Sequence, residues 1–501
     1  MDINRSFGIL LHPTSLPGPF AVGVLGQEAR EFIAWLAEAG AGYWQVLPLN
    51  PVGPYASPYQ AISAFAGNPL LIDPRPLVEQ GWLEPGALPA KFTGKTVDYA
   101  WAQEHFPPLW ERAFTVFRNQ VGAQAGLAEF TQREGSWLAD YALFVSLREK
   151  YPGKVWNRWP APLAQRQPQA LEQARLELAD RIEFHSFVQW LFFSQWQNLR
   201  EYAAQRSIKV IGDMPFFVSW DSADVWAHQE YFDLNPDGEP RVVAGVPPDY
   251  FSKTGQLWGN PLYRWERLAQ DNYSWWLSRI QAAQELYDLV RIDHFRAFAA
   301  YWEIPAGSGS AVTGHWVPGP GAGIFRAMQE TLGQVPVVAE DLGIITHDVE
   351  ELRDQFHLPG MKVLQFAFSG DQDNPYLLEN HPEHGDCITY TGTHDNDTTK
   401  GWFEGLSADA QLQIQEYLRA HGLDPEARGV VWAMIQLAMQ SRCKLAIFPF
   451  QDVLSQGSEY RMNSPSHLEG NWTYRFLGNW DLELARDLRA IATATDRVVL
   501  S

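Results

Sequence analysis

Only two cysteines occur in 501 residues, Cys387 and Cys443. That is too few for the disulfide framework of a small secreted scaffold, so a reducing cytoplasm is the expected place of action. Positive charge is scarce as well: 38 Lys and Arg stand against 59 Asp and Glu, a formal net charge of −21. The resulting field repels phosphate backbones and anionic lipid heads, so neither nucleic acid nor a membrane surface is an expected partner. The chain has no apolar run near the roughly 18 residues that a bilayer-spanning helix requires. Its first residues lack the charged-then-apolar pattern of a secretory signal. With 46% hydrophobic residues, disorder and coiled coil are excluded too. What is abundant is aromatic surface: 22 Trp, 18 Tyr and 28 Phe.

Eight short apolar runs, rich in β-branched residues, recur along the chain: Phe7 to Leu11, Tyr43 to Pro48, Lys209 to Asp213, Leu289 to Asp293, Val337 to Glu340, Met361 to Phe366, Cys387 to Thr391 and Leu445 to Pro449. Between the first two, Ala29, Phe32, Ile33 and Leu36 share one helix face, and Gly40 supplies a stop. Between the fifth and sixth, Thr346 can cap a helix carrying Val349, Leu352 and Phe356, stopped by Pro359 and Gly360. Strand and helix alternate eight times, which predicts an α/β fold of the (β/α)8 TIM-barrel type rather than an open doubly wound sheet.

Two gaps, 49–208 and 214–288, are far longer than one loop and one helix require. Both are expected to be insertions into a single catalytic barrel spanning 1–501. The first reads as a helical subdomain, with amphipathic stretches at Trp137 to Lys150 and Phe184 to Arg200, and the second holds a loop at 246–260. Setting both aside leaves a chain close to the ~250 residues of a plain barrel. Most of the Trp fall in the insertions, so their expected role is packing.

Functional side chains of such barrels stand where strands end. In Val290-Arg291-Ile292-Asp293, alternation puts Arg291 and Asp293 on the face toward the barrel interior, and the guanidinium is expected to lower the Asp pKa. The fifth run ends in Glu340-Asp341, the seventh leads into His394-Asp395, and the third supplies Asp213. An acid at one strand end is ordinarily a cap or an arginine partner. Three together, beside Arg291, His294 and His394, suggest a shared site. Crowded carboxylates cannot all ionise, and Glu340, on its longer stem, is the expected proton holder. An ionised Asp with a protonated Glu suits cleavage of a glycosidic bond. His294, His394, Asp395 and Asp397 lack metal-ligand spacing, the glycine-containing segments do not form a P-loop or dinucleotide fingerprint, and Ser57 and Ser222 lack a paired base. No metal and no cofactor is called for. Aromatic residues interleaved with polar ones, at Tyr55 to Gln60 and Val246 to Asn260, suit a pyranose, whose C–H face stacks on rings while its hydroxyl rim binds polar groups.

Several strings carry a family resemblance: Gly212-Asp-Met-Pro, Ala244-Gly-Val-Pro-Pro-Asp-Tyr-Phe-Ser, Arg291-Ile-Asp-His-Phe-Arg296, Ala339-Glu-Asp-Leu-Gly343, Tyr390-Thr-Gly-Thr-His-Asp-Asn-Asp397 and Gly470-Asn-Trp472. The chain resembles, over essentially its whole length, the 4-α-glucanotransferases of the amylomaltase type, glycoside hydrolase family 77. The family is similar to α-amylases in its barrel and carboxylate trio but lacks their C-terminal β-sandwich. The resemblance implies Asp293 as nucleophile, Glu340 as general acid/base and Asp395 as the carboxylate that supports the transition state. It places Arg291, His294, His394, Asp213 and Tyr59 around the donor sugar, with Ser57 and Asn463 as further substrate-binding residues. Tyr250 and Phe251 fall in a loop over the site, Gln256 and Trp258 on the acceptor side, and Tyr55 at a secondary glucan groove. Ala297, after Arg296, and Ser466, after Pro465, stand where the family commonly has Gly. The implied partners are an α-1,4-glucan donor and a glucan or glucose acceptor, and the chain is expected to be a monomer or weak homo-oligomer. An amylase-type hydrolase and a non-catalytic glucan-binding protein remain the alternatives.

Overall fold

A computed structural model describes residues 3–499 apart from 121, 123, 249–252, 335, 466 and 468. Tyr250, Phe251 and Ser466 therefore lie outside the described residues. All eight apolar runs are strands: β1 (Ser6–Leu10), β2 (Tyr43–Gln45), β3 (Lys209–Met214), β4 (Leu289–Ile292), β5 (Val337–Ala339), β6 (Gly360–Val363), β7 (Cys387–Tyr390) and β8 (Leu445–Pro449). They pair in parallel in the order β6-β7-β8-β1-β2-β3-β4-β5. The N–H of Ala339 in β5 donates to the carbonyl of Pro359, just ahead of β6, at 2.9 Å. That bond brings the two ends of the sheet together. Because helices cover the outer face and side chains fill the interior, the strands are buried on both sides, which is why they read as continuous apolar runs. Two runs were read three residues too long: β2 stops at Gln45, and Leu364–Phe366 after β6 form a short 3-10 turn.

The helix between β1 and β2 is Gln27–Ala39, with Ala29, Phe32, Ile33 and Leu36 buried and Gly40 left-handed at φ 74°. The helix ahead of β6 is His347–Gln355, with Val349 and Leu352 buried; Thr346 occupies the cap position, but its side chain makes no capping bond. The first gap holds the expected helices, among them Leu138–Lys150 and Ala179–Ala204. Phe187 of the latter packs against Phe114 and Phe117 at 5.4 and 4.7 Å between ring centroids. Trp196 at the same helix reaches Trp44 of β2. One contiguous cluster of buried side chains thus joins barrel and insertion.

The insertions are less purely helical than expected. Strands Val242–Val246 and Gln256–Pro261 from the second gap pair antiparallel with Ala300–Pro305 and His315–Pro318, which follow β4, in a four-stranded sheet. One face of this sheet packs over a small cluster of Val243, Ile304 and Ala311, and the other meets the main core through Ala244 and Tyr301. Its strands are accordingly half-buried and offered no continuous apolar run to read. Beyond β8 the described residues form helices and loops. Cys387, at the start of β7, is bonded to Cys443, just ahead of β8. One crosslink is no framework, but it removes the premise that led from scarce cysteine to a reducing compartment. Among the described residues no helix is long and apolar enough to cross a membrane.

Candidate active site

The parallel register sets Asp213 of β3 directly beside Arg291 of β4. Arg291, 3% exposed, donates to both Asp213 oxygens at 2.8 and 2.7 Å. The same Nη1 lies 3.1 Å from Asp293 Oδ1. Tyr59 donates its hydroxyl to Asp213 Oδ2 at 2.8 Å. The buried Asp213 is therefore fully answered, while the Asp293 side chain keeps 27% exposure toward the cleft.

Burial pushes the Asp293 pKa up to about 6, against the pull of Arg291 and with added repulsion from Asp213 and Asp395. The expected net lowering does not occur, because burial outweighs the guanidinium, which also serves Asp213, and Asp213 adds its own repulsion. Glu340 follows β5. Its Oε2 accepts the His294 N–H at 2.7 Å and its Oε1 the Leu342 N–H at 3.0 Å. Burial raises its pKa to about 8, with Asp293 adding to the rise and Arg291 and the two N–H groups opposing it. Asp341 goes elsewhere: it takes the Arg353 guanidinium at 2.5 Å and the Met361 N–H at 2.7 Å, tying β5 to β6. Alternation along the chain thus separates a carboxylate that faces Asp293 and Arg291 from one that ties two strands together.

His294 holds a left-handed backbone, φ 54°, a strained conformation for a side-chain-bearing residue. The turn aims its N–H at Glu340. Burial lowers its imidazole to about 3, so it is neutral. Trp258 meets that ring edge-on at 4.8 Å, and Gln256 Oε1 accepts the Trp258 Nε1–H at 3.1 Å.

Across the rim, Asp395 follows β7 with its side chain 44% exposed. Its Oδ2 lies 3.2 Å from His394 Nε2, and its Oδ1 accepts the Asn463 amide at 2.6 Å. Burial would raise its pKa, but the charge and hydrogen bond of His394 and the Asn463 donor outweigh it and hold the group below the ordinary carboxylate range. Tyr59 stacks on the His394 ring at 5.2 Å.

Nearly all the candidate residues in the described chain thus converge. Ser57 stands at the edge of this group, where its Oγ accepts the Tyr59 N–H at 3.3 Å in a turn. Tyr55 is 60% exposed, at φ 62°, and is not drawn into the cleft. Three residues were missed. Trp472 closes an aromatic group with Tyr59 and His394 at 5.7 and 6.1 Å. Arg461 donates to the Asp395 carbonyl at 2.6 Å. Phe217 lies 6.3 Å from both Trp258 and His294. Phe217 could have been found by its place three residues past β3; Trp472 lay within a family string and Arg461 in none, and both are far from any strand end. Among the described residues no group of three or more His, Cys, Asp or Glu side chains is arranged to hold a metal ion.

A closed parallel barrel whose strand ends present carboxylates of unequal proton affinity beside aromatic walls defines an enzyme of glycosidic-bond chemistry. The family model described as 4-alpha-glucanotransferase, glycoside hydrolase family 77, matches residues 11–479. A 4-alpha-glucanotransferase of Thermus thermophilus is 52% identical, covering 99% of this chain and 100% of that protein. One from Synechocystis is 47% identical over 95% of each. The solved amylomaltase of Streptococcus agalactiae in complex with acarbose superposes with a TM-score of 0.95 at 35% identity, covering 99% and 100% of the two chains. The chain belongs to the 4-alpha-glucanotransferase family, glycoside hydrolase family 77.

Proposed function

We propose that Asp293, Glu340 and Asp395 carry a retaining double displacement by which this 4-alpha-glucanotransferase moves a glucanosyl unit between α-1,4-glucans. The Asp293 carboxylate attacks C1 of the donor sugar as the C1–O4 bond breaks. Glu340 gives its proton to the departing 4-oxygen, and a β-glucosyl ester forms on Asp293. Glu340, now ionised, takes the proton of an incoming 4-hydroxyl as that oxygen displaces the ester and restores the α-linkage. Asp395, kept ionised by His394 and Asn463, supports the positive charge that develops on the sugar ring and binds its hydroxyls.

The observation that carries this reading is the split in proton affinity: Glu340 at about 8 holds its proton near neutrality while Asp293 at about 6 has released its own. Arg291, Asp213, Tyr59 and His394 bind the donor ring, and His294 with Asn463 holds the two outer carboxylates in place. Trp258, with Gln256, and the segment bearing Tyr250 and Phe251 favour a sugar over water at the ester stage. Ser57 shapes the Tyr59 turn, and Tyr55 belongs to a separate surface groove for long glucans.

Maltotriose alone tests the reaction. A ladder of longer maltooligosaccharides with free glucose is the expected product; glucose and maltose alone would make the chain a hydrolase, and no turnover would leave a binding protein. The protein's place is the cytoplasm, as a monomer or weak homo-oligomer. Its acidic charge, which repels membrane surfaces, is compatible with that place, and the Cys387–Cys443 bond weighs against it. Alkylation in freshly lysed cells followed by mass measurement decides: two modified thiols are expected, and an intact disulfide would contradict the cytoplasm.

A further inference from the structure

A cavity of about 150 Å3 opens between the first insertion and the helix Ser274–Leu286, and none of its lining residues belongs to the cleft described above. An apolar cavity of roughly this size takes one six-membered ring. Here part of the wall is flat and aromatic. Phe65 faces Trp137 and Trp275 at 6.3 and 6.2 Å between centroids, and Tyr141 adjoins Trp137 at 6.0 Å. The rest is polar: Asp140, Asp224 and His228 also line the space. A purely apolar ring would strip water from these groups without replacing its hydrogen bonds.

Charge narrows the ligand further. Asp140 is bridged by both oxygens to Arg166 Nη2 at 2.9 Å. The positive charge of Arg279 acts on Asp224, which also accepts the Ala64 N–H at 2.7 Å. Asp140 is paired with an arginine, and Asp224, pushed up to about 6 by burial, is held by a backbone N–H, so neither calls for a cation, while two carboxyl groups in the wall disfavour an anion. A neutral ring with apolar faces and a hydroxyl edge meets both kinds of wall.

We propose that this cavity is a further sugar site, apart from the cleft and from the Tyr55 groove, built for one neutral pyranose and occupied by free glucose. The class of ligand follows from the lining; that the sugar is glucose rests on the glucan-transfer reading, in which glucose is released and consumed. The cavity wall is also tied to the catalytic rim. The Ala223 N–H donates to Ile62 O at 2.9 Å, and Ile62 and Ala64 lie three and five residues beyond Tyr59.

Glucose offered alone has no α-1,4 bond to cleave, so the intact enzyme can be used. Crystals soaked in glucose should show a pyranose between Trp137 and Trp275, and tryptophan fluorescence should report saturable binding. Ala227→Phe fills the cavity from within. Ser278→Phe, at an exposed position on the rim, plugs it without disturbing the core. Each should weaken that fluorescence response at least tenfold while maltotriose redistribution stays within twofold of the parent. An unchanged response in Ser278→Phe, or glucose density confined to the cleft below Trp258, would overturn the proposal. Cavity density for benzene but not for glucose would overturn the ligand class. Failure to redistribute maltotriose would refute the transfer reading instead, whatever glucose does in the cavity.

Discussion

The two walls of the cleft treat their carboxylates in opposite ways. On the β3–β5 side one buried cation, Arg291, is divided between Asp213 and Asp293, and both Asp293 and Glu340 are raised above their ordinary pKa values. On the β7–β8 side Asp395 lies against His394 and accepts from Asn463, with Arg291 adding a weaker pull, and is lowered, although burial acts on all three. The difference teaches that burial alone does not set the protonation of this site. The balance between burial and the charges and donors that face each carboxylate does. One wall is left short of compensation and so exchanges protons near neutrality; the other is fully compensated and stays charged.

Removing the reacting groups should have the largest effect. Asp293→Ala should lose roughly 10^4-fold or more in kcat for maltotriose redistribution, since no ester can form. Glu340→Gln should lose about 10^2- to 10^4-fold. A donor with a good leaving group, such as an aryl maltoside, should restore its first step but not that of Asp293→Ala. Equal losses with both donors would break the assignment of roles to this wall.

Next in size is the compensated wall. Asn463→Ala removes the 2.6 Å donor to Asp395; a hydrogen bond to a charged group is worth about 1.5–3 kcal/mol, or roughly ten- to a hundredfold in kcat/KM. A steady-state comparison checks this, and an unchanged kcat/KM would show that Asp395 is held without Asn463.

The pH profile sharpens the contrast with a smaller effect. Asp293 must be ionised and Glu340 protonated, so activity should fall below about 6 and above about 8. Asp213→Asn removes a repelling charge and frees Arg291 for Asp293, so the acidic limb should move down while the alkaline limb remains. An acidic limb that moves up would reverse the charge-sharing argument. Smallest is Tyr55→Ala, expected to leave maltotriose turnover within twofold and to lower the rate on long amylose several-fold; equal rates on both would remove the secondary groove.

Much of this was legible in the sequence, for physical reasons that differ by region. Barrel strands buried on both faces announce themselves as apolar runs, and the polar residues that end them stand out, which is how Asp293, Glu340 and Asp395 were found together. The four-stranded sheet was not legible, because strands such as Gln256–Pro261 alternate in burial and lie among loop-like residues. The direction of the Asp293 shift was misread because the local string shows Arg291 next to it but neither the burial of the group nor Asp213, which the β3–β4 register brings to the same guanidinium. Trp472 and Arg461 reach the site from a loop after β8, and no periodicity marks such residues.

The central claim is that Asp293 takes the sugar while Glu340 manages the proton. Glu340→Gln incubated with maltotriosyl fluoride tests it most directly, because fluoride leaves without an acid and the second step lacks its base, so the ester should accumulate. Mass measurement should show one added maltotriosyl unit, on the peptide containing Asp293. An unmodified protein, or a sugar attached to Asp213 or Asp395, would contradict it.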